Sequence, residues 1–156
     1  GDELRKVATC ISSGSLIACE AFDDVGLFDE SLFLYYVDND FCLRCADRGW
    51  SVYICRTALL LHQEGFRQKR SFLGRSFIYR NYGPAARYYM SRNAIGMLKR
   101  HWRHGRHSWA VAHRLAGDLV TTLLFGRQRW RLMRSMLTGF AHGLIGRYGK
   151  APEREN

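Results

Sequence analysis

Two apolar stripes at three- and four-residue spacing constrain the fold of this sequence more than any other feature. In "SWAVAHRLAGDLVTTLLF", Trp109, Ala112, Leu115, Ala116, Leu119, Val120 and Leu123 recur at helical spacing. The segment "RQRWRLMRSMLTGFAHGLIGRYG" repeats the design with Met133, Met136, Leu137, Phe140 and Leu144. Such a period puts apolar side chains on one side of an α-helix, whereas strand side chains alternate every second residue. From Ser71 onward the chain is therefore predicted to be helical throughout, with no strand. The apolar run "LVTTLLFG" is far short of the ~20 residues needed to span a bilayer.

Charge divides the chain. Residues 1–62 carry 5 Lys+Arg against 10 Asp+Glu, and residues 63–156 carry 19 against 4. The two parts are expected to face different partners, with a boundary near residues 65–70. A length of 156 residues and 47% hydrophobic content suit a folded chain with a real core. The five cysteines are odd in number and no secretory signal opens the sequence, so reduced thiols are expected. Cys42 and Cys45 form a CxxC, but no second pair follows at zinc spacing, and structural zinc sites need four ligands. Both are read as core thiols.

The acidic part mixes strand and helix. "VATCIS" (residues 7–12) reads as a short buried strand, and Ser13-Gly14-Ser15 as a turn. "LIACEAFDDVG" is helical, stopped by Gly26. A second helix is expected from Asp38, with Phe41, Cys42, Cys45 and Ala46 buried and Gly49 as its end. "SVYIC" and "ALLLH" suit a strand or a pair of strands ending at His62.

Asp38-Asn39-Asp40 directly follows an aromatic run and admits three readings. Asp38 caps the helix and Asp40 favours its positive end. Alternatively, the two carboxylates form a DxD motif holding Mg²⁺ or Mn²⁺ through nucleotide phosphates. Such a motif normally ends a hydrophobic strand that follows nucleotide-binding segments, and only about forty residues precede this one. In the third reading, one carboxylate is a general base on a rigid helical mount, within reach of a hydroxyl proton.

The stretch "SSGSLIACEAFDDVGLFDESLFLYYVDNDFCLRCADRGWSVYI", followed by "ALLLH", resembles the second half of glycosyltransferase family 2 enzymes with the GT-A fold. The rhamnosyltransferase branch is nearest, and "ARYYMSRN" (residues 86–93) resembles that branch's helix opening. The resemblance implies an α/β chain: residues 1–66 as the acceptor-side half of a GT-A domain, residues 67–156 as an α-helical extension. It implies that Asp38 is the base of an inverting sugar transfer and Asp40 a supporting carboxylate at the acceptor. Ser13 and Gly14 would shape the turn beside that site. His62 would lie near the donor diphosphate and its Mg²⁺ or Mn²⁺. The donor would be a dTDP- or UDP-sugar and the acceptor a lipid-linked glycan, in cell-surface polysaccharide synthesis. The nucleotide-binding strand–helix units and the separate DxD of the family have no match here, so the expected activity is that of part of an enzyme.

The basic helices suit a cytoplasmic, peripheral position at the inner face of the membrane. Trp109 and Trp130 would enter the lipid, with Arg127, Arg131 and Arg134 at anionic headgroups. The competing class is a non-catalytic basic helical protein binding membrane or nucleic acid. No helix-turn-helix, zinc or RNA-binding signature is present, so nucleic acid is not expected as a partner.

Overall fold

The computed structural model describes residues 3–61, 67–72, 74–80, 82–126 and 128–151. Strand β1 (Leu4–Val7) pairs antiparallel with β2 (Val52–Cys55), Leu4 opposite Cys55 and Val7 opposite Val52. Between them come helix α1 (Cys19–Val25), a 3-10 turn (Glu30–Leu32) and helix α2 (Val37–Asp47). A hairpin of β3 (Arg67–Phe72) and β4 (Arg75–Arg80) follows, then α3 (Pro84–Arg100), α4 (Gly105–Phe125) and α5 (Arg129–Ile145).

Several expectations need correction. The first strand lies at Leu4–Val7 and is largely exposed, rather than buried at residues 7–12. Thr9 and Cys10 are instead committed to α2, through Asn39 Nδ2 donating to Thr9 Oγ1 at 3.0 Å and the Cys42 thiol against the Cys10 carbonyl. Of "SVYIC" and "ALLLH", the first supplies strand β2, residues 58–61 form no strand, and His62 lies outside the described residues. The all-helical expectation from Ser71 fails at the β3–β4 hairpin. Phe77-Ile78-Tyr79 has strand propensity, and Gly74, at φ 74°, takes a left-handed conformation between the strands. Ala46 is exposed, and Leu43 takes its place inside. Helix α2 is gripped from two directions, Phe41 against Phe22 and Phe28, and Leu43 in a core with α3 and α4.

Helix α3 is central. Pro84 occupies its first turn, where the missing N–H costs nothing, and Tyr89 to Met97 are buried without interruption. A helix buried all round is interior. Leu43 of α2, Ala94 and Met97 of α3, and Val111 of α4 form one apolar cluster, flanked by Tyr36, Leu98 and Leu115. The core therefore joins the acidic and basic parts of the chain.

Helix α5 reaches α3 through glycine. A Cβ on Gly143 would sit 2.5 Å from the Arg92 carbonyl, and one on Gly139 would collide with the Tyr88 carbonyl. The two backbones approach too closely for any side chain at these positions. Arg87 pairs with Asp118 at 2.8 Å and ties α3 to α4. The chain then leaves α5 at Gly146, φ 76°, and folds back so that Ala151 N–H donates to the Tyr89 hydroxyl at 2.8 Å.

Of the two predicted stripes only Met136 is buried, with Ala112, Leu115, Leu119 and Met133 half-buried. Also buried, outside those stripes, are Val111 and Thr122 of α4 and Leu132 of α5. Trp109, Val120, Leu123 and Leu124 of α4, and Trp130, Leu137, Leu144 and Ile145 of α5, are exposed. Two helix faces thus stay apolar and uncovered.

Gly139→Ala is expected to destabilise by about 1–3 kcal/mol, the usual cost of overpacking. Gly117→Ala, on a part of α4 where an added Cβ meets nothing within 4 Å, should stabilise by up to ~1 kcal/mol. Urea unfolding of the two variants checks both signs.

Candidate functional site

The segment leading into α2 is strained. Phe33, Tyr35 and Tyr36 have φ of 59°, 64° and 65°, and each such non-glycine costs on the order of 1 kcal/mol or more. The sequence supplies the compensation from α3. The Asn93 amide donates to the carbonyls of Leu32, Leu34 and Tyr35 at 2.8, 2.7 and 3.0 Å. The Arg92 guanidinium donates to Leu32 and Ser31 at 2.9 and 3.2 Å, and to Gly149 at 2.5 Å. It lies among the rings of Tyr88, Tyr89 and Tyr148, the nearest centroid 4.9 Å away. Both side chains are fully buried. Below the loop, Asp29 accepts from the Ser31 N–H at 2.9 Å and pairs with Arg100.

This loop delivers α2. Its N-cap is Tyr36, in the left-handed region, with no side-chain cap; Asp40 N–H donates to the Tyr36 carbonyl at 2.8 Å. Asp38 is therefore not the capping residue. It sits in the first turn, where an acidic side chain complements the positive helix end.

The two aspartates differ sharply. Asp40 is 1% exposed. Its oxygens accept from Arg44 Nε at 2.8 Å and His101 Nε2 at 2.9 Å, with Arg100 at 3.5 Å. Burial alone would raise its pKa, but the bonds from His101 and Arg44 and their charges outweigh it and hold the carboxyl below its ordinary range. Arg44 goes on to the carbonyls of Val25 and Leu27, fastening α2 to the end of α1. Asp40 is thus a structural tie between α1, α2 and α3, not a carboxylate presented to an acceptor. Asp38 is half-buried and has no hydrogen-bond or ion-pair partner among the described residues.

The Ser13-Gly14 turn is formed: Ser15 N–H donates to Ser12 at 3.0 Å, and Gly14 has φ 71°. Leu60 packs on Gly14, 3.0 Å from where a Cβ would be. Neither Ser13 nor Gly14 bonds to Asp38 among the described residues; the turn is linked to α2 through Thr9 and Cys10. His62 and Arg127 lie outside the described residues. Trp109 and Trp130 are 73% and 75% exposed, and Arg131 and Arg134 are also at the surface. Cys42 and Cys45 are buried free thiols, with burial pushing Cys42 up to about 11. Sequence reading gave no role to Arg92, Asn93, Arg44 or His101. The available signal was a polar Arg-Asn pair inside the otherwise apolar run "YYMSRNAIGM".

No protein-family model matches the sequence. No solved structure matches it either. Over 143 residues, 90% of the chain, it is 35% identical to the dTDP-rhamnosyl transferase RfbF of Shigella flexneri. The chain is similar to a rhamnosyl transferase. It spans about half the length of that curated relative, 47%. The matched span takes in nearly all of the described elements, the acid pair included.

Asp40→Asn is expected to cost about 3 kcal/mol at neutral pH by leaving buried cationic partners uncompensated. Asp38→Asn should stay within ~0.5 kcal/mol of the parent. Because the folded pKa of Asp40 is depressed, its contribution is complete above the ordinary value of 3.8 and fades as pH falls through the folded value. Parent and Asp40→Asn stabilities should converge below that range in acid titrations followed by circular dichroism.

Proposed function

We propose that this chain is the acceptor-side part of a rhamnosyltransferase-like, inverting glycosyltransferase of family 2, with the GT-A fold. The observation that carries the reading is the division of labour within Asp38-Asn39-Asp40. Asp40 is spent on structure, whereas Asp38, at the helix start, has no side-chain partner among the described residues. The similarity to a dTDP-rhamnosyl transferase across the same residues supports it.

In this reading Asp38 accepts the proton of an acceptor sugar hydroxyl. The hydroxyl oxygen attacks the anomeric carbon from the face opposite the nucleotide, the bond to the diphosphate breaks, and configuration inverts. General base catalysis needs the carboxylate fixed within hydrogen-bond reach of that hydroxyl. The Arg92 and Asn93 bonds supply the fixing. The donor would be dTDP-rhamnose or a related nucleotide-sugar. The alternative reading of Asp38 and Asp40 as a DxD pair holding Mg²⁺ or Mn²⁺ does not fit, because Asp40 is buried and engaged by Arg44, His101 and Arg100. The exposed Leu4, Leu16, Tyr53, Ile54, Leu59 and Leu61 support packing of this part against further apolar surface, such as a nucleotide-binding half.

The acceptor is proposed to be a lipid-linked glycan, met at the cytoplasmic membrane face. No helix among the described residues is long and apolar enough to cross a membrane. The exposed apolar faces of α4 and α5, with Arg131 and Arg134 beside them, suit helices lying in an anionic lipid surface.

Two measurements test these proposals. In a chimera carrying this chain in place of the matching span of the Shigella flexneri protein, Asp38→Asn should lower rhamnosyl transfer by about 100-fold or more and leave nucleotide-sugar binding nearly unchanged. Transfer within a few-fold of the parent chimera would make Asp38 a helix-start residue only. The chain should also cosediment with anionic liposomes and less with neutral ones, high salt releasing only part, since screening weakens the charge contribution alone. Tight DNA binding with a steep salt slope, and indifference to vesicles, would place the basic surface on nucleic acid instead.

A further inference from the structure

The corner between α3 and α4 gathers imidazoles that the sugar-transfer reading does not use. His101 closes α3 and His104 precedes α4, with His104 N–H donating to the His101 carbonyl at 3.0 Å. Asp47, the last residue of α2, brings its carboxylate 2.9 Å from His104 Nε2. One ligand atom from each of Asp47, His101 and His104 lies within 4.8 Å of the others.

His101 points to a ligand independently of that cluster. The residue is 5% exposed. Its Nε2 faces Asp40 at 2.9 Å, and since Asp40 is held ionised, this nitrogen carries the proton and donates. Nδ1 is then the ring nitrogen left for a ligand. That atom is fully buried and has no hydrogen-bond partner among the described residues, although buried polar atoms are almost always satisfied. A carboxylate fixing one imidazole nitrogen so that the other can bind a metal is the usual arrangement behind metal-ligating histidines.

We propose that Asp47, His104 and the Nδ1 of His101 form a binding site for a divalent transition-metal ion of the zinc class. Two imidazoles and one carboxylate select such ions over Mg²⁺, which prefers an all-oxygen shell. Three protein ligands leave a fourth position for water, and the Asp47 side chain, 58% exposed, leaves the site reachable from solvent. At His107, three residues on from His104, burial first, and then His101 and His104, hold the pKa below its ordinary value. The bound ion would clamp the end of α2 to the α3–α4 corner. Asp38 stands nine residues back along the helix, ~14 Å at 1.5 Å per residue, so the ion has no part in proton removal from an acceptor.

The test uses the untagged chain at pH 7.5, with Co²⁺ as an optical probe and Zn²⁺ as competitor. Saturable 1:1 Co²⁺ binding is expected, with weak visible d–d bands and no intense thiolate charge-transfer band. Zn²⁺ should displace the probe and raise Tm with its concentration; millimolar Mg²⁺ should do neither. Asp47→Asn and His104→Gln should each weaken binding by tenfold or more. Should His104→Gln fail to fold, the surface-exposed Asp47→Asn decides alone. Absence of saturable binding, a thiolate band assigning the metal to the cysteines, or parental affinity in Asp47→Asn would overturn the site.

Discussion

The buried donors of Arg92 and Asn93 hold the loop before α2 in a conformation it would not keep alone. Three left-handed, non-glycine residues within four positions are sustained because the carbonyls of Ser31, Leu32, Leu34 and Tyr35, in and beside that stretch, accept from two adjacent side chains. The net worth of each bond, about 0.5–1.5 kcal/mol and more from a charged donor, is of the same order as the strain it offsets. Remove the donors and those inward carbonyls become unsatisfied polar groups in the core. Arg92 also binds Gly149 in the segment that folds back from α5, so one side chain fastens three separate stretches.

From that anchor follows the difference between two carboxylates only two residues apart. With the loop fixed, α2 enters against α3 at an angle that drives Asp40 beneath Arg100 and His101. Asp38, 200° away around the helix at 100° per residue, is turned off that contact. Local sequence treats the two as equivalent acids. Their environments make one a buried tie and leave the other half-buried, with no side-chain partner among the described residues. The same placement of α2 carries its far end, Asp47, to the α3–α4 corner, so one helix presents unlike chemistry at its two ends.

Legibility in the sequence followed the range of the interactions involved. Local signals found α1, the body of α2, the Ser-Gly turn and the amphipathic α4 and α5. The Asp38 cap failed because the true N-cap, Tyr36, is in the left-handed region beside a Tyr35 carbonyl held by Asn93, 58 positions further on. The β3–β4 hairpin was missed because its strands are crowded with basic residues and show no clean alternation. Periodicity correctly marked Leu144 and Val120 as apolar-face residues. It could not show that this face points outward while glycines at 139 and 143 make the inner contact with α3. Asp40's burial was invisible for the same reason, since two of its partners lie some sixty positions on.

The anchor is tested most directly by hydrogen exchange of Asn93→Ala against the parent. If the Asn93 bonds hold the loop, amides between residues 31 and 40 lose protection by about tenfold or more, roughly one to two net hydrogen bonds. Those in α4 should keep theirs, since the opening is local. Parental protection across residues 31–40, or an equal loss along the whole chain, would contradict the account.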